Sequence, residues 1–509
     1  MNKIFIGIDR MTLEDLIDIA RNDYQVVLTK EAETSIKSAR SLIEKWVEEE
    51  KTIYGVTTGF GALSNVIISK KDIRKLQKNI IMSHAAGVGN SLDKETVRAT
   101  MALRIKDLAK GNSGIRLKTV EQLVQLLNNE IYPLVPEKGS VGASGDLAPL
   151  AHLSLVLLGM GEAFYKGKML SGKEALSQCG LKPIHLEAGE GLALVNGTQL
   201  MTAIGGLTVY DAIRLSKMTD IAASMSLEVL MGSRTEFNPR IHKVRPHPGQ
   251  GISANNMERI TQNSEIITSH QDCSRVQDAY TLRCSPQVHG ASRDAINYCR
   301  NVIETEMNSS TNNPLIFADQ KDFLLGGNFH GQPIALAMDF LSMAISELGN
   351  ISERRIERLV NPMLSGLPAF LVKNGGLNSG FMLAQYTAAA LVSENKVLSH
   401  PASVDSIPTS ANKEDHVSMG TIAARKCREI VRNTEFVIAV ELLCASQALD
   451  LFTDMKAGQG TLAAYHVIRN SIPHMEKDRV LSYDINSMVN LIKNGEIIEA
   501  VEKAIGKLS

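Results

Sequence analysis

Long stretches without proline dominate the chain beyond about residue 200. Residues 334–360, 381–399 and 417–452 each combine apolar positions with scattered charges and few glycines. Helical patterns longer than about 25 residues are typical of coiled coils, membrane spans or large bundles. Strict heptads are absent and charges are too frequent for a membrane span, so the pattern predicts a bundle of long helices. Glycine and proline cluster at 361–380, which predicts a connection between two of them.

The first 200 residues have a different texture, in which short apolar patterns alternate with glycine-rich turns. Residues 117–131 show the spacing of an amphipathic helix, and 165–190 are turn-rich with a strand-like fragment at 168–170. We therefore predict a mainly α protein in two parts. Residues 1–200 form a smaller mixed N-terminal domain, and residues 201–509 form the long-helix bundle with a C-terminal helical region.

The composition of the chain argues against several classes of function. The 509 residues are 44% hydrophobic with a net charge of −1, which fits a globular protein and gives no sign of a nucleic-acid partner. Six cysteines contain no CxxC pair, and no HExxH motif occurs, so we expect reduced thiols and no metal. We expect no secretory signal at the N-terminus, and no apolar run reaches the ~18 residues of a membrane span. We therefore expect a cytoplasmic protein without a membrane partner.

Residues 139–153 carry the most specific candidate chemistry, centred on Ala143-Ser144-Gly145. The Gly145 nitrogen can attack the Ala143 carbonyl carbon while Ser144 loses its hydroxyl, so that two waters leave and a methylidene-imidazolone ring remains. Glycine lacks a Cβ, so its nitrogen can approach a carbonyl in a compressed turn. The exocyclic carbon of that ring is an electrophile that no ordinary side chain supplies. Asp146 is predicted to cap the next helix and to aid ring formation. A plain turn before a helix is the alternative.

This run resembles the signature of the aromatic amino acid ammonia-lyases. The likeness extends over nearly the whole chain, and includes Tyr54-Gly55-Val56-Thr57-Thr58-Gly59-Phe60-Gly61 and Glu414-Asp415-His416-Val417-Ser418-Met419-Gly420. It implies a long-helix fold of the ammonia-lyase and fumarase-like type, whose N-terminal region carries the prosthetic-group loop. It also implies a methylidene-imidazolone formed autocatalytically from Ala143-Ser144-Gly145 without an external cofactor. The implied assembly is a homotetramer whose sites draw residues from three subunits.

Eliminating ammonia from an α-amino acid requires a base near the β-carbon and a cation for the carboxylate. The resemblance implies that Tyr54 and Glu414 share the acid/base work, and which one takes the β-proton stays open. A phenol has a pKa near 10, so a basic Tyr54 needs an environment that depresses it. A packed tyrosine before a glycine turn is the alternative for Tyr54.

The remaining candidates bind and orient the reactants, and the resemblance implies that Tyr280 is also a catalytic hydrogen-bond donor near the ring or the developing charge. Arg283 presents a planar guanidinium suited to a carboxylate. Gln277 and Tyr280 precede it at spacings of three, which predicts one shared helical face. The Asn196 amide could donate to the imidazolone oxygen, as in an oxyanion hole, or belong to an ordinary Asn-Gly turn. By resemblance, Phe329 packs near the ring system from a loop that could belong to a neighbouring subunit.

The pair Ser83-His84 bears on substrate choice. Related enzymes for phenylalanine usually carry Phe-Leu at this pair and those for tyrosine His-Leu, whereas Ser83-His84 resembles enzymes that act on histidine. His84 and Glu414 could match the two nitrogens of a neutral imidazole. We therefore expect conversion of L-histidine to trans-urocanate and ammonia. The alternatives are a lyase or aminomutase for tyrosine or phenylalanine, and a helical scaffold without activity.

Two positions depart from the family pattern. Lys413 stands where the family usually has glutamine, and Asn312 where it usually has aspartate. An ammonium buried beside Glu414 would favour the charged carboxylate, whereas a Lys413 that points to solvent changes nothing. The carboxylate missing at Asn312 would alter a structural hydrogen bond.

Overall fold

The computed structural model describes residues 2–271 and 276–509. Contacts divide the chain into two units, each assembled from three separate stretches. Unit 1 runs to Tyr210 and adds Arg300–Asp339 and Pro401–Arg425, whereas unit 2 comprises Asp211–Cys299, Phe340–His400 and Lys426–Ser509. The boundary predicted at residue 200 stays a prediction.

Helices dominate the described residues, which confirms the mainly α class. The helices that lie wholly in unit 1 are Leu13–Arg21, Lys30–Glu48, Ile73–His84, Lys94–Ala109, Leu117–Asn128, Leu147–Leu155, Gly172–Gln178 and Glu190–Val195. Those wholly in unit 2 are Pro239–Lys243, Pro248–Ile260, Glu265–Thr268, Tyr280–Arg283, Pro362–Ser365, Met382–Leu398, Gln459–Ser471, Leu481–Asn494 and Glu496–Ile505. Four longer helices contribute residues to both units: Gln199–Val229, Ser285–Met307, Gln332–Val360 and Gly420–Leu449. The long helices match the proline-free stretches of the sequence.

The described strands are short and all belong to unit 1. Lys3–Ile6 pairs in parallel with Gln25–Leu28, and Val88–Ser91 pairs antiparallel with Pro136–Lys138. Glu162–Tyr165 lies between Tyr132–Pro133 and Lys168–Ser171 in an antiparallel sheet. Leu315–Phe317 and Asp322–Leu324 form a further antiparallel pair. The strand-like fragment at 168–170 is therefore confirmed, and it is the second strand of a hairpin.

The helix Lys94–Ala109 is buried along almost its whole length. Asp93 caps it by accepting from the Thr96 amide at 3.0 Å. All residues from Thr96 to Ala109 are buried, and these include the charged side chains of Arg104 and Asp107. Charged groups without access to water must find partners inside the protein, and their partners prove important for the site.

One helix, Gln332–Val360, is long and apolar enough to cross a membrane by length and composition. However, 72% of its most apolar window is buried inside the structure. Core helices of globular proteins satisfy the same criterion, because a helix buried on all sides is apolar on all sides. The expectation of no membrane partner stays a prediction.

Candidate active site

Backbone contacts fix the loop that carries Ala143-Ser144-Gly145. It runs from the strand Pro136–Lys138 to the helix Leu147–Leu155. The Ser418 hydroxyl donates to the Gly142 carbonyl at 2.8 Å, and the Met419 amide donates to the Val141 carbonyl at 2.8 Å. A segment distant in sequence therefore holds the residues immediately before the tripeptide.

Only glycine fits at position 145. Its φ is +68°, a left-handed conformation that costs other residues about 1–2 kcal/mol. Gly145 also forms an isolated β-bridge with Gly197, and a Cβ on Gly145 would lie 2.1 Å from the Gly197 carbonyl oxygen. The next residue, Asp146, donates its amide to that same carbonyl at 2.8 Å. Backbone pairing next to Gly145 thus holds this residue in a turn that no larger residue can enter.

Asp146 occupies the N-cap position of the following helix, but its side chain makes no capping bond. The capping role predicted for this side chain is therefore wrong. Its carboxylate instead accepts from the Ser140 hydroxyl at 2.9 Å, from the Thr421 hydroxyl, and from the Met201 amide at 2.9 Å. Burial raises the pKa of Asp146, and these three donors oppose the rise. The carboxylate acts as a buried anchor that joins the loop to two other segments.

A pocket of about 630 Å³ opens beside the tripeptide in unit 1. Ser144, Tyr54, Glu414 and Phe329 all line it. The Ser144 hydroxyl donates to the Glu414 carboxylate at 3.2 Å, and the Thr409 hydroxyl donates to the other carboxylate oxygen at 3.0 Å. Ala143 lines it as well, so the structure brings five predicted site residues around one cavity. Phe329 lies on a loop, as predicted, and lines the pocket of its own chain.

Tyr54 is half-buried, and its phenol oxygen accepts from the Gly61 amide at 3.0 Å. Burial raises the pKa of Tyr54, the Gly61 amide opposes this, and the charge of Glu414 raises it further. The single chain therefore holds Tyr54 as a neutral phenol, the reverse of the depression that a basic role requires.

His84 lies at the end of the helix Ile73–His84, with its ring 5.0 Å from that of Phe60. Its Nδ1 is 3.1 Å from the Ser83 hydroxyl. Burial lowers the pKa of His84, while the charge of Glu414 acts in the opposite direction. A neutral imidazole can donate through one nitrogen and accept through the other, as substrate recognition would require. Lys413 is exposed and lines the pocket around Ser144, whereas His84 is not among the described residues that line it.

Asn196 follows the helix Glu190–Val195 as its C-cap and is buried. Its side-chain oxygen has no hydrogen-bond partner among the described residues. Its backbone carbonyl accepts from the Arg104 guanidinium at 3.1 Å. A buried amide oxygen without a partner is rare and is a reason to look for an unaccounted ligand or reactant nearby.

Gln277, Tyr280 and Arg283 lie in unit 2, and among the described residues none of them lines the pocket around Ser144. The helix there is a single turn, Tyr280–Arg283, that begins after an extended Ala279. Gln277 lies outside it, so the prediction of one helical face for all three is wrong. The Arg283 guanidinium stacks 4.7 Å from the centre of the Tyr280 ring, and its buried Nε has no partner among the described residues. Gln277 and Arg283 line a second pocket of about 600 Å³.

Sequence reasoning missed the groups that hold the loop from behind. Ser140 and Thr421 share the Asp146 carboxylate, and Arg104 binds the turn at Asn196. The local sequence contained one indication of these groups, which is that Thr421 directly follows the segment Glu414–Gly420. Within the residues that the structure describes, no group of three or more His, Cys, Asp or Glu could hold a metal ion.

The fold is mainly helical, and a buried Ala-Ser-Gly turn lies beside a pocket that contains a phenol and a carboxylate. These features together are typical of lyases that act on aromatic amino acids. Residues 11–470 match the family model described as aromatic amino acid lyase. The chain belongs to this family, and the prediction of a carbon–nitrogen lyase is confirmed.

Individual relatives agree with the family assignment. The chain is 57% identical to a histidine ammonia-lyase from Alkaliphilus oremlandii, with 99% of both chains covered. The crystal structure of histidine ammonia-lyase from Trypanosoma cruzi matches with a TM-score of 0.92 and 43% identity, over 99% of this chain and 96% of that one. Tyrosine aminomutase from Streptomyces globisporus matches with a TM-score of 0.95 and 36% identity over the full length of both.

Proposed function

We propose that this chain eliminates ammonia from L-histidine to give trans-urocanate, as a cytoplasmic homotetramer. The observation that carries the proposal is the pocket in which the Ser144 hydroxyl, the Glu414 carboxylate and the Tyr54 phenol meet. Full-length similarity to proteins named histidine ammonia-lyase supports histidine as the substrate. The expectation of no metal and no nucleic-acid partner belongs to the same proposal.

The residues present fit the self-formed methylidene-imidazolone. Position 145 accepts only glycine, Ala143 is buried, and Ser144 faces the pocket. The ring would supply an electrophilic carbon to bond the substrate amine, or alternatively its aromatic ring. Asp146 would aid ring formation, and the side-chain amide of the buried Asn196 would donate to the imidazolone oxygen.

We propose that Tyr54 and Glu414 divide the acid/base work. Burial keeps Tyr54 protonated in the single chain, which favours proton donation, and Glu414 is placed to accept a proton from a group near Ser144. As the β-proton base, Tyr54 would need a nearby cation to lower its pKa. Arg283 of another chain in the proposed homotetramer is such a cation.

Substrate recognition would use both pocket and partner residues. His84 and Glu414 would bind the imidazole, with Phe329 packed beside it, and Arg283 would bind the carboxylate. Gln277 and Tyr280 would orient the substrate from the same surface. Tyr280 is 70% exposed and neighbouring Val276 is 95% exposed, which supports a surface that another chain covers.

The test is a parallel assay of purified protein with L-histidine, L-tyrosine and L-phenylalanine. We expect urocanate from histidine, and formation of cinnamate or coumarate in its place would overturn the substrate assignment. A tyrosine aminomutase is the second candidate, because an aminomutase shares the whole fold at 36% identity. It would return ammonia to the β-carbon, so a β-amino acid product would identify it.

The electrophile is tested with Ser144→Ala. This variant lacks the hydroxyl that must leave, so intact-protein mass should show no loss of two waters and turnover should nearly vanish. Thermal unfolding serves as the control for folding. A folded Ser144→Ala protein with undiminished turnover would remove the mechanism.

A further inference from the structure

A fully buried guanidinium lies directly beneath the turn at Asn196-Gly197. Arg104 extends from the helix Lys94–Ala109 and has no exposed surface. It donates to the Asn196 carbonyl at 3.1 Å and also to the Ala193 carbonyl. These are carbonyls at the C-terminal end of the helix Glu190–Val195, where a positive charge is favourable.

Three side chains fix the direction of this guanidinium. Asp107 accepts from it at 3.2 Å, Gln199 at 2.6 Å and Asn312 at 3.1 Å. Asp107 in turn accepts from Gln199 at 3.1 Å. A guanidinium presents its donors in a rigid fork, so these partners determine where the two backbone carbonyls must lie.

The turn held by Arg104 is the one that pairs with the tripeptide. A Cβ on Gly197 would lie 2.5 Å from the Arg104 guanidinium, so the two groups are in close contact. On its other side, the Gly197 carbonyl accepts from the Asp146 amide and lies against Gly145. A displacement of Arg104 would therefore move the turn at Gly197, and with it the backbone that carries the Gly145 nitrogen.

A gain in stability does not by itself explain why the Arg104–Asp107 ion pair is buried. Desolvation of a buried ion pair offsets most of its attraction, and apolar replacements of similar volume are often neutral or stabilising. The Arg104–Asp107 pair instead fixes the orientation of the guanidinium, because the N–H groups of that guanidinium donate to backbone carbonyls of the turn.

We propose that Arg104, held by Asp107, is a positioning residue for the cyclisation of Ala143-Ser144-Gly145. It sets where the Gly145 nitrogen lies relative to the Ala143 carbonyl carbon. In that step a bond forms between these two atoms, and the carbonyl oxygen leaves as water with the amide hydrogens of Gly145 and Ser144. The Ser144 hydroxyl leaves with the Ser144 α-hydrogen as a second water, so no oxidant or reductant is required. The inference rests on the proposed function.

The test is Arg104→Lys in the full chain, synthesised in vitro and sampled over time by intact mass. Lysine keeps the charge and can still pair with Asp107, but it cannot reach both carbonyls in the geometry of the fork. Misplacement of a reacting group by 1 Å costs about 10²-fold in rate, and we expect a slowing of that order in the loss of two waters. Turnover per cyclised subunit should change much less.

The matched control is Arg293→Lys in unit 2. Arg293 forms a comparably buried pair with Asp220 at 2.5 Å and also donates to the Ser216 carbonyl, and its hydrogen-bond partners among the described residues are all outside the loop. The same chemical change there should leave the cyclisation rate at the wild-type value. Equal slowing in both variants would show a general effect of lost stability and would overturn the proposal.

A second variant covers the case in which Arg104→Lys does not fold. Gln199→Met keeps the ion pair and removes one acceptor that orients the guanidinium, so cyclisation should slow to a smaller extent. Wild-type cyclisation in either folded variant would overturn the proposal. Because mass reports ring formation without substrate, a wrong substrate assignment leaves this test intact. A mass deficit that persists in Ser144→Ala would instead overturn the proposed function.

Discussion

The buried carboxylate of Asp146 permits a quantitative prediction about how the reactive loop is held. Asp146→Ala removes the acceptor for the buried Met201 amide, and the described residues offer that amide no other hydrogen-bond acceptor. The two hydroxyls are less affected, because Thr421 can donate to Ser140 at 3.0 Å. One stranded buried donor costs about 1–3 kcal/mol, and the lost charge-assisted bonds add about 1.5 kcal/mol. We expect the free energy of unfolding to fall by about 2.5–4.5 kcal/mol.

The variant Asp146→Asn retains the hydrogen-bond geometry of this side chain and removes its negative charge. The amide oxygen can still accept from Met201, and the amide nitrogen can donate to the hydroxyls of Ser140 and Thr421, which rotate to accept. The loss of stability should then be about 1 kcal/mol. If the negative charge aids ring formation, this variant folds but loses two waters more slowly than the wild type.

Urea unfolding and intact mass together decide the matter. An Asp146→Ala protein as stable as the wild type would refute the assignment of the carboxylate as an anchor. An Asp146→Asn protein less stable than Asp146→Ala would show that the hydrogen-bond geometry has been read wrongly. Wild-type cyclisation in Asp146→Asn would remove the role of charge in ring formation.

Three further predictions follow from individual sites. Gly145→Ala should lower stability by at least about 1–2 kcal/mol, from its φ of +68° alone, and should block ring formation; an unchanged melting temperature and mass deficit would contradict this. Arg283→Lys should raise KM for the amino acid more than it lowers kcat, because bidentate carboxylate binding is lost, and steady-state kinetics with an unchanged KM would argue against the clamp. Burial raises the pKa of Glu435 from an ordinary 4.5 to about 7, so its contribution to stability is present below about pH 4.5 and is lost as pH rises through 7. Glu435→Gln should therefore gain stability relative to the wild type over that range, by at most about 3 kcal/mol, and a pH-independent difference in urea unfolding would refute the shift.

Local sequence patterns were sufficient to predict the long helices and to place the tripeptide in a turn before a helix, because both features depend on residues that are neighbours in the chain. The length of the helix at Tyr280 could not be predicted in this way. Ala279 is extended, which starts the helix after Gln277 despite a helical spacing of three.

Arg104 illustrates a different limit. Polar residues at several positions of the helix Lys94–Ala109 would ordinarily predict a solvated face, yet all residues from Thr96 onward are buried. The partners that make this burial possible, Gln199 and Asn312, are distant in sequence. Only the folded arrangement reveals them. It also shows that Asn312 accepts from Arg104 through its amide oxygen, as an aspartate oxygen would.

The segment Pro401–Arg425 belongs to unit 1, although nearly 200 residues separate it from the first stretch of that unit. Ser418, Met419 and Thr421 from this late segment hold the loop before and after the tripeptide. A nascent chain on the ribosome therefore carries Ala143-Ser144-Gly145 through most of its synthesis without the contacts that compress it. If the ring forms as proposed, its formation would wait for this late segment, and partly made chains would carry no electrophile for thiols and amines to attack.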